Sequence, residues 1–146
     1  MIRKIEQNDI SACASILKDA YGKFPYNEVF KENNADKYIL EKYNSCKDNS
    51  FVFVSGNNKI VAFIFLKVSA WSDGPQAIIE EIAVSPSLQS SGIGKALMEY
   101  SCDYLNSLGV KSIMIWAKNN DRLLNFYEKH GFSLADDFVV MFKKMN

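Results

Sequence analysis

The chain has 146 residues, 48% hydrophobic and 23% charged, the length and mix of one ordinary globular domain able to bury its own core. Its 17 basic and 17 acidic residues cancel, so it lacks the long-range field of a nucleic-acid or anionic-membrane binder. No apolar run approaches the roughly 18 residues that a membrane span requires, and Met1 to Asp9 lacks the apolar centre of a signal peptide.

Met1 to Glu6 predicts a strand through Ile2 and Ile5. Asn8 or Asp9 is placed to cap a helix in which Ile10, Cys13, Ala14 and Leu17 recur at helical spacing, and Gly22 and Pro25 break it. A second helix is predicted over 36–46, with Tyr38, Ile39, Lys42 and Tyr43 near one face. Residues 51–54 and 60–68 are β-branched and aromatic, and Gly56, Asn57 and Asn58 between them predict a hairpin. A loop with Trp71, Asp73, Gly74 and Pro75 then leads to a strand over 76–84.

The longest helix is predicted over 92–108, with Ile93, Leu97, Tyr100, Tyr104 and Leu108 along one stripe and Gly109 to end it. Residues 110–117, apolar on both faces, read as a central strand. A short helix over 120–130 is closed by Gly131, and 132–145 offers two last strands around Asp136 and Asp137. No repeat or linker interrupts the chain, so residues 1–146 form one domain of mixed α/β class, ordered β-α-α-β-β-β-α-β-α-β-β. Cys13, Cys46 and Cys102 are odd in number and widely spaced. They argue against a disulfide framework or metal site and suit buried positions in a cytoplasmic protein.

The most informative stretch is Val84-Ser85-Pro86-Ser87-Leu88-Gln89-Ser90-Ser91-Gly92-Ile93-Gly94-Lys95-Ala96. A strand ends, the chain turns, and two glycines open a long helix, whose first N–H groups and dipole favour a phosphate. A Walker A loop needs Gly where Gln89 stands and Ser or Thr where Ala96 stands, and a dinucleotide fingerprint needs Gly at Leu97. Both fail. The pattern Gln89-x-x-Gly92-x-Gly94 instead resembles the acetyl-CoA signature of the GNAT superfamily of N-acetyltransferases.

Ile82-Ala83-Val84-Ser85-Pro86 resembles that family's preceding strand end, and Asn120 with Phe126-Tyr127-Glu128-Lys129-His130-Gly131-Phe132 resembles its second motif. The element order agrees, so the resemblance implies a GNAT-like fold, a mostly antiparallel twisted sheet of about seven strands flanked by four helices. The family often has Arg or Gly where Ser90 and Ser91 stand, which leaves phosphate binding to backbone amides, the two hydroxyls and Lys95.

The resemblance implies acetyl-CoA as acyl donor, held by Gln89, Ser90, Ser91, Gly92, Ile93, Gly94 and Lys95 at its phosphates and by Ile82, Ala83 and Val84 along its pantetheine arm. It makes Tyr127 both a cofactor contact and the donor to the leaving thiolate, since a phenol with a pKa of about 10 stays protonated at neutral pH. Asn120 is an N-cap, a cofactor contact, or both. An acceptor amine arrives mostly protonated and needs a proton sink, for which Glu80 and Glu81 are the candidates. Adjacent strand residues face opposite ways unless a bulge intervenes, and the similarity to polyamine-type members favours Glu80.

The acceptor then lies near Tyr26, Glu28, Trp71 and Asp73, aromatic and acidic residues suited to a small cationic amine such as an aminoglycoside or polyamine. The alternatives are a protein N-terminus or lysine as acceptor, or a module that binds acyl-CoA without turnover. Homodimers are common among members of the family.

Overall fold

The computed structural model describes residues Met1–Asn146. In chain order it contains β1 (Ile2–Lys4), α1 (Ile10–Tyr21), α2 (Asn34–Cys46), β2 (Phe51–Val54), β3 (Ile60–Trp71), β4 (Gly74–Val84), α3 (Ile93–Ser107), β5 (Ser112–Ile115) and α4 (Asp121–Lys129). These elements fall into two compact units. Met1–Trp116 holds the whole sheet with α1 to α3, and Ala117–Asn146 holds α4.

The sheet runs β1-β2-β3-β4-β5, antiparallel throughout except for the parallel pair β4 and β5. That pair is joined through α3, since parallel neighbours need a crossover rather than a tight turn. On one face, Val52, Val54, Phe63, Phe65 and Ala83 pack in a single cluster with Cys13, Ala14 and Leu17 of α1 and Ala35 and Ile39 of α2. On the other, α3 buries Leu97, Met98 and Leu105, and its Tyr100 and Tyr104 rings meet Phe51 edge-on at 5.0 and 4.9 Å. Phe51 and Val52 thus serve opposite layers, as the two-residue period of a strand requires.

Asp9 anchors the entry to α1 by a different route from a simple cap. It accepts Arg3 Nη1 and Nη2 at 2.7 and 2.9 Å and the Glu6 N–H at 2.8 Å, closing a capping box on the short 3-10 turn before the helix. Burial raises its pKa, but the guanidinium and the N–H outweigh that and hold the carboxyl below the usual carboxylate range.

Three sequence expectations change. Trp71 and Gly74 do not sit in a separating loop; they are paired residues at the tip of one long β3–β4 hairpin, where Gly74 takes φ +127. The strand expected at the centre is the edge strand β5, bonded to β4 alone, with Met114 43% exposed. Continuous apolarity does not by itself separate a central strand from an edge. Finally, the sheet has five strands rather than seven, because residues 132–146 form none. Phe138 to Phe142 is β-branched and aromatic, yet all five residues are exposed and without a ladder partner. Strand propensity records how well a side chain fits neighbours on a pleated surface, so the same run without those neighbours carries no strand.

Candidate active site

The register of β3 against β4 sets the site. Phe65 lies opposite Glu81 and Leu66 opposite Ile79, so Glu80 is an extra residue, a bulge in β4. In a regular strand Glu80 and Glu81 would face opposite layers. Here both reach α2: Glu80 Oε2 lies 3.4 Å from Lys42 Nζ, and Glu81 Oε2 accepts the Tyr38 hydroxyl at 3.0 Å. From α1, the Tyr21 hydroxyl donates to Glu81 Oε1 and Oε2 at 3.0 and 3.2 Å. The Tyr21 ring is packed against Tyr26 at 4.4 Å and edge-on to Phe30 at 6.0 Å.

Burial pushes the Glu81 carboxyl above its ordinary pKa, and the hydrogen bonds from Tyr38, Tyr21 and the Ile82 N–H, with the Lys42 charge, only partly reverse that. The same burial, reinforced by the Glu81 charge, drives Tyr21 and Tyr38 far above the usual phenol range. Both phenols therefore remain protonated donors, and the carboxyl binds its proton more tightly than an exposed glutamate does.

Beyond this carboxylate the sheet opens. Gln76 to Ile79 of β4 pair with Ser112 to Ile115 of β5, but Ile82, Ala83 and Val84 pair only with Ile64, Phe63 and Ala62 of β3. The β5-side edge of β4 past Ile79 is thus an unpaired stretch of backbone, which an extended ligand can join as an added strand would.

That edge leads into the glycine loop. Ser90 takes φ 68 and Gly92 φ 90, and the first bond of α3 runs from the Ala96 N–H to the Gly92 carbonyl. The N–H groups of Ile93, Gly94 and Lys95 precede it and have no partner inside the helix. A Cβ built on Gly92 would meet nothing within 4 Å, so a bare backbone turn and a helix N-terminus together leave room for an anionic group such as a pyrophosphate. The loop's side chains are engaged elsewhere: Gln89 Nε2 donates to the Val84 carbonyl at 3.2 Å and the Ser91 hydroxyl donates to the Leu88 carbonyl. Lys95 pairs with Glu99 at 3.8 Å, an exposed pair that holds it only weakly. The residues fit a phosphate through backbone N–H groups foremost.

In the second unit Asn120 is the N-cap of α4, its Oδ1 accepting the Leu123 N–H at 3.3 Å. Tyr127 is the buried residue of that helix, with its ring 5.2 Å from Phe126 and 5.7 Å from Phe132. His130 closes the helix and meets the Phe126 ring edge-on at 4.9 Å.

Of the residues expected near the acceptor, Tyr26 is brought to the Glu81 cluster through Tyr21. Glu28 is exposed, its N–H donating to the Tyr21 carbonyl at 2.7 Å. Trp71 and Asp73 stand at the hairpin tip, about 20 Å along β4 from Glu81. Tyr38 and Lys42 were legible only as members of a helix face. Their spacing of four residues put them on one side of α2, but nothing in the sequence said that this side faces β4.

Residues 11–132 match the acetyltransferase (GNAT) family, and the chain belongs to that family. Over 136 residues it is 28% identical to the ribosomal protein bS18-alanine N-acetyltransferase of Escherichia coli (strain K12), a match covering 92% of this chain and 81% of that one. It is 34% identical over 86 residues to the mycothiol acetyltransferase of Renibacterium salmoninarum, covering 57% of this chain and 25% of that longer protein. A solved acetyltransferase structure from Trypanosoma brucei superposes with a TM-score of 0.70 over 98% of this chain and 99% of that one, at 22% identity, a likeness of fold. No helix of the chain is long and apolar enough to cross a membrane.

Proposed function

We propose that this protein is an acetyl-CoA-dependent N-acetyltransferase, a single catalytic domain over residues 1–146, in which Glu81 is the base that receives the proton of a primary amine. The observation that carries this reading is the partly buried Glu81 carboxylate held by two phenols on the sheet face beneath α1 and α2. Bound acetyl-CoA supplies an acetyl thioester open to direct attack by the amine in a ternary complex. The N–H groups from Gly92 to Lys95 receive its phosphates, and the unpaired edge at Ile82 to Val84 aligns its arm. A backbone N–H on that edge, directed at the carbonyl oxygen, would stabilise the developing charge by a few kcal/mol. Tyr127 and Asn120 keep the roles that their motif positions imply, donor to the leaving sulfur and cofactor contact.

The acceptor is a small cationic amine of the aminoglycoside or polyamine kind, because Tyr21 and Tyr38 hold the carboxylate and Tyr26 and Phe30 pack on the Tyr21 ring, aromatic surface suited to a cation. A protein N-terminal amine is a second reading, favoured by the similarity to an alanine N-acetyltransferase along most of this chain. The free thiols Cys13 and Cys46, both buried, suit a cytoplasmic setting.

Thermal unfolding with acetyl-CoA, and with ATP and NAD as controls, tests the donor. At about 100 times its dissociation constant a ligand adds about 2.7 kcal/mol to native stability. A rise with acetyl-CoA alone is expected, and no rise would remove the phosphate-loop assignment. Initial rates with a polyamine, an aminoglycoside and a short peptide bearing an N-terminal alanine then separate the acceptors, and binding without turnover of any would leave a non-catalytic module.

Tyr127→Phe is expected to lower kcat by about 10²-fold or more, as loss of a positioned acid does, while acetyl-CoA affinity stays within a factor of two or so. Unchanged kcat under conditions where chemistry limits turnover would take the acid role away from Tyr127.

A further inference from the structure

We propose that residues 136–144 form a self-complementary surface on which a second copy of this chain pairs antiparallel, two-fold symmetric about Val140. This goes beyond the acetyl-transfer reading and does not depend on it.

The starting observation is a run of five large apolar residues left in water. Phe138, Val139, Val140, Met141 and Phe142 are 71–91% exposed and join no ladder. Exposed apolar residues scattered singly need no explanation, but a contiguous stretch of them marks an interaction site. These residues are β-branched, aromatic or long and apolar, the types that gain most by packing on a pleated surface.

The flanks say what the partner is. The segment reads Asp136-Asp137-Phe138-Val139-Val140-Met141-Phe142-Lys143-Lys144, acidic at one end and basic at the other. With Val140 opposite its own copy in an antiparallel pair, Asp136 meets the partner's Lys144 and Asp137 meets the partner's Lys143. Phe138 then meets the partner's Phe142, and Val139 meets the partner's Met141. Opposite charges and paired aromatic rings both stabilise neighbouring strands, and the two-fold axis makes every such contact twice. A parallel, in-register pair would instead set aspartate on aspartate and lysine on lysine. An antiparallel slip of one residue either way would set a charge opposite a phenylalanine. The four charged residues are exposed, and none takes part in the ion pairs within the chain.

The backbone leaves suitable groups for this ladder. The Phe138 N–H turns back to the Ala135 carbonyl at 3.5 Å, across a turn that carries Asp136 and Asp137. Alternate residues of a strand point their N–H and C=O groups opposite ways, so Val139 and Met141 are the residues that face the partner. Each exchanges its two bonds with the other's copy. Val140 then falls at a non-hydrogen-bonded position, where facing Cα atoms lie about 4.5 Å apart.

The test is a charge swap read by sedimentation equilibrium of the full chain. Wild type should associate to a dimer as its concentration rises from micromolar toward millimolar. Lys143→Asp with Lys144→Asp makes all the flanking contacts repulsive, as does Asp136→Lys with Asp137→Lys, and each double variant should associate about 10²-fold more weakly. An equal mixture of the two restores opposite charges at every position and should give a heterodimer within about threefold of wild-type affinity. All four sites are exposed, so the variants should keep the wild-type circular dichroism. A wild type that stays monomeric throughout, variants that dimerise as well as it does, or a mixture that does not associate would overturn the pairing. Cross-linking checks the register. Val140→Cys faces its own copy within the roughly 4.4–6.8 Å Cα separation that a disulfide needs, and should cross-link under mild oxidation. Phe142→Cys stands about 13 Å from its copy along the ladder and should not. No cross-link from Val140→Cys, or equal cross-linking from both above the level given by the native Cys13, Cys46 and Cys102, would overturn the two-fold centre at Val140.

Discussion

Glu81→Gln is expected to lower kcat/KM for the acceptor amine by about 10²- to 10⁴-fold, the range that a positioned general base contributes. Glutamine keeps the shape and one carbonyl acceptor for the phenols, but it takes no proton. Glu80→Gln should cost much less, about tenfold at most, because Glu80 is held in an ion pair with Lys42 and receives neither phenol. Reversal of that order would return the base to Glu80.

The same change has a signature in stability. Burial raises the folded-state pKa of Glu81, so the native protein binds that proton more tightly than the unfolded chain. Its contribution is therefore unfavourable above the raised pKa and is relieved as pH falls through it. Wild type should gain stability on the acid side of that titration, and Glu81→Gln should lose this gain while remaining at least as stable at higher pH. In activity the sign is opposite: the acid limb of kcat/KM in wild type reports protonation of Glu81, and the variant's residual rate should lack it.

Gly92→Val is the second large effect. At φ 90 a side chain costs about 1–3 kcal/mol of backbone strain, and a β-branched residue is the least tolerated. That strain alone should lower the unfolding temperature. The functional loss is separate, because the valine methyls would occupy the open space beside the loop that a pyrophosphate needs. Acetyl-CoA affinity is expected to fall by about 10²-fold or more, equivalent to about 2.7 kcal/mol, and the stabilisation by acetyl-CoA should vanish at concentrations saturating for wild type. Retained stabilisation, measured against the variant's own lower baseline, would mean that the loop is a turn and nothing more.

Much of the layout was legible because it rests on local rules. Apolar periodicity found α1, α2 and α3, the turn residues found the β2–β3 hairpin, and Gly92 marked the turn into α3. What failed was partnership between distant segments. The run from Phe138 to Phe142 has strand composition without a strand, and 110–117 looked central but lies at the edge.

The sequence by itself determined the family, the element order through α4 and the glycine turn that opens α3, since each depends on residue type at short spacing. Only the tertiary structure showed which carboxylate the phenols hold. The bulge at Glu80 turns both glutamates to the same layer, and two phenols 60 and 43 residues away in the chain converge on Glu81. A pKa is set by burial and by the donors within a few ångströms, and those are properties of packing that no local pattern of residues encodes.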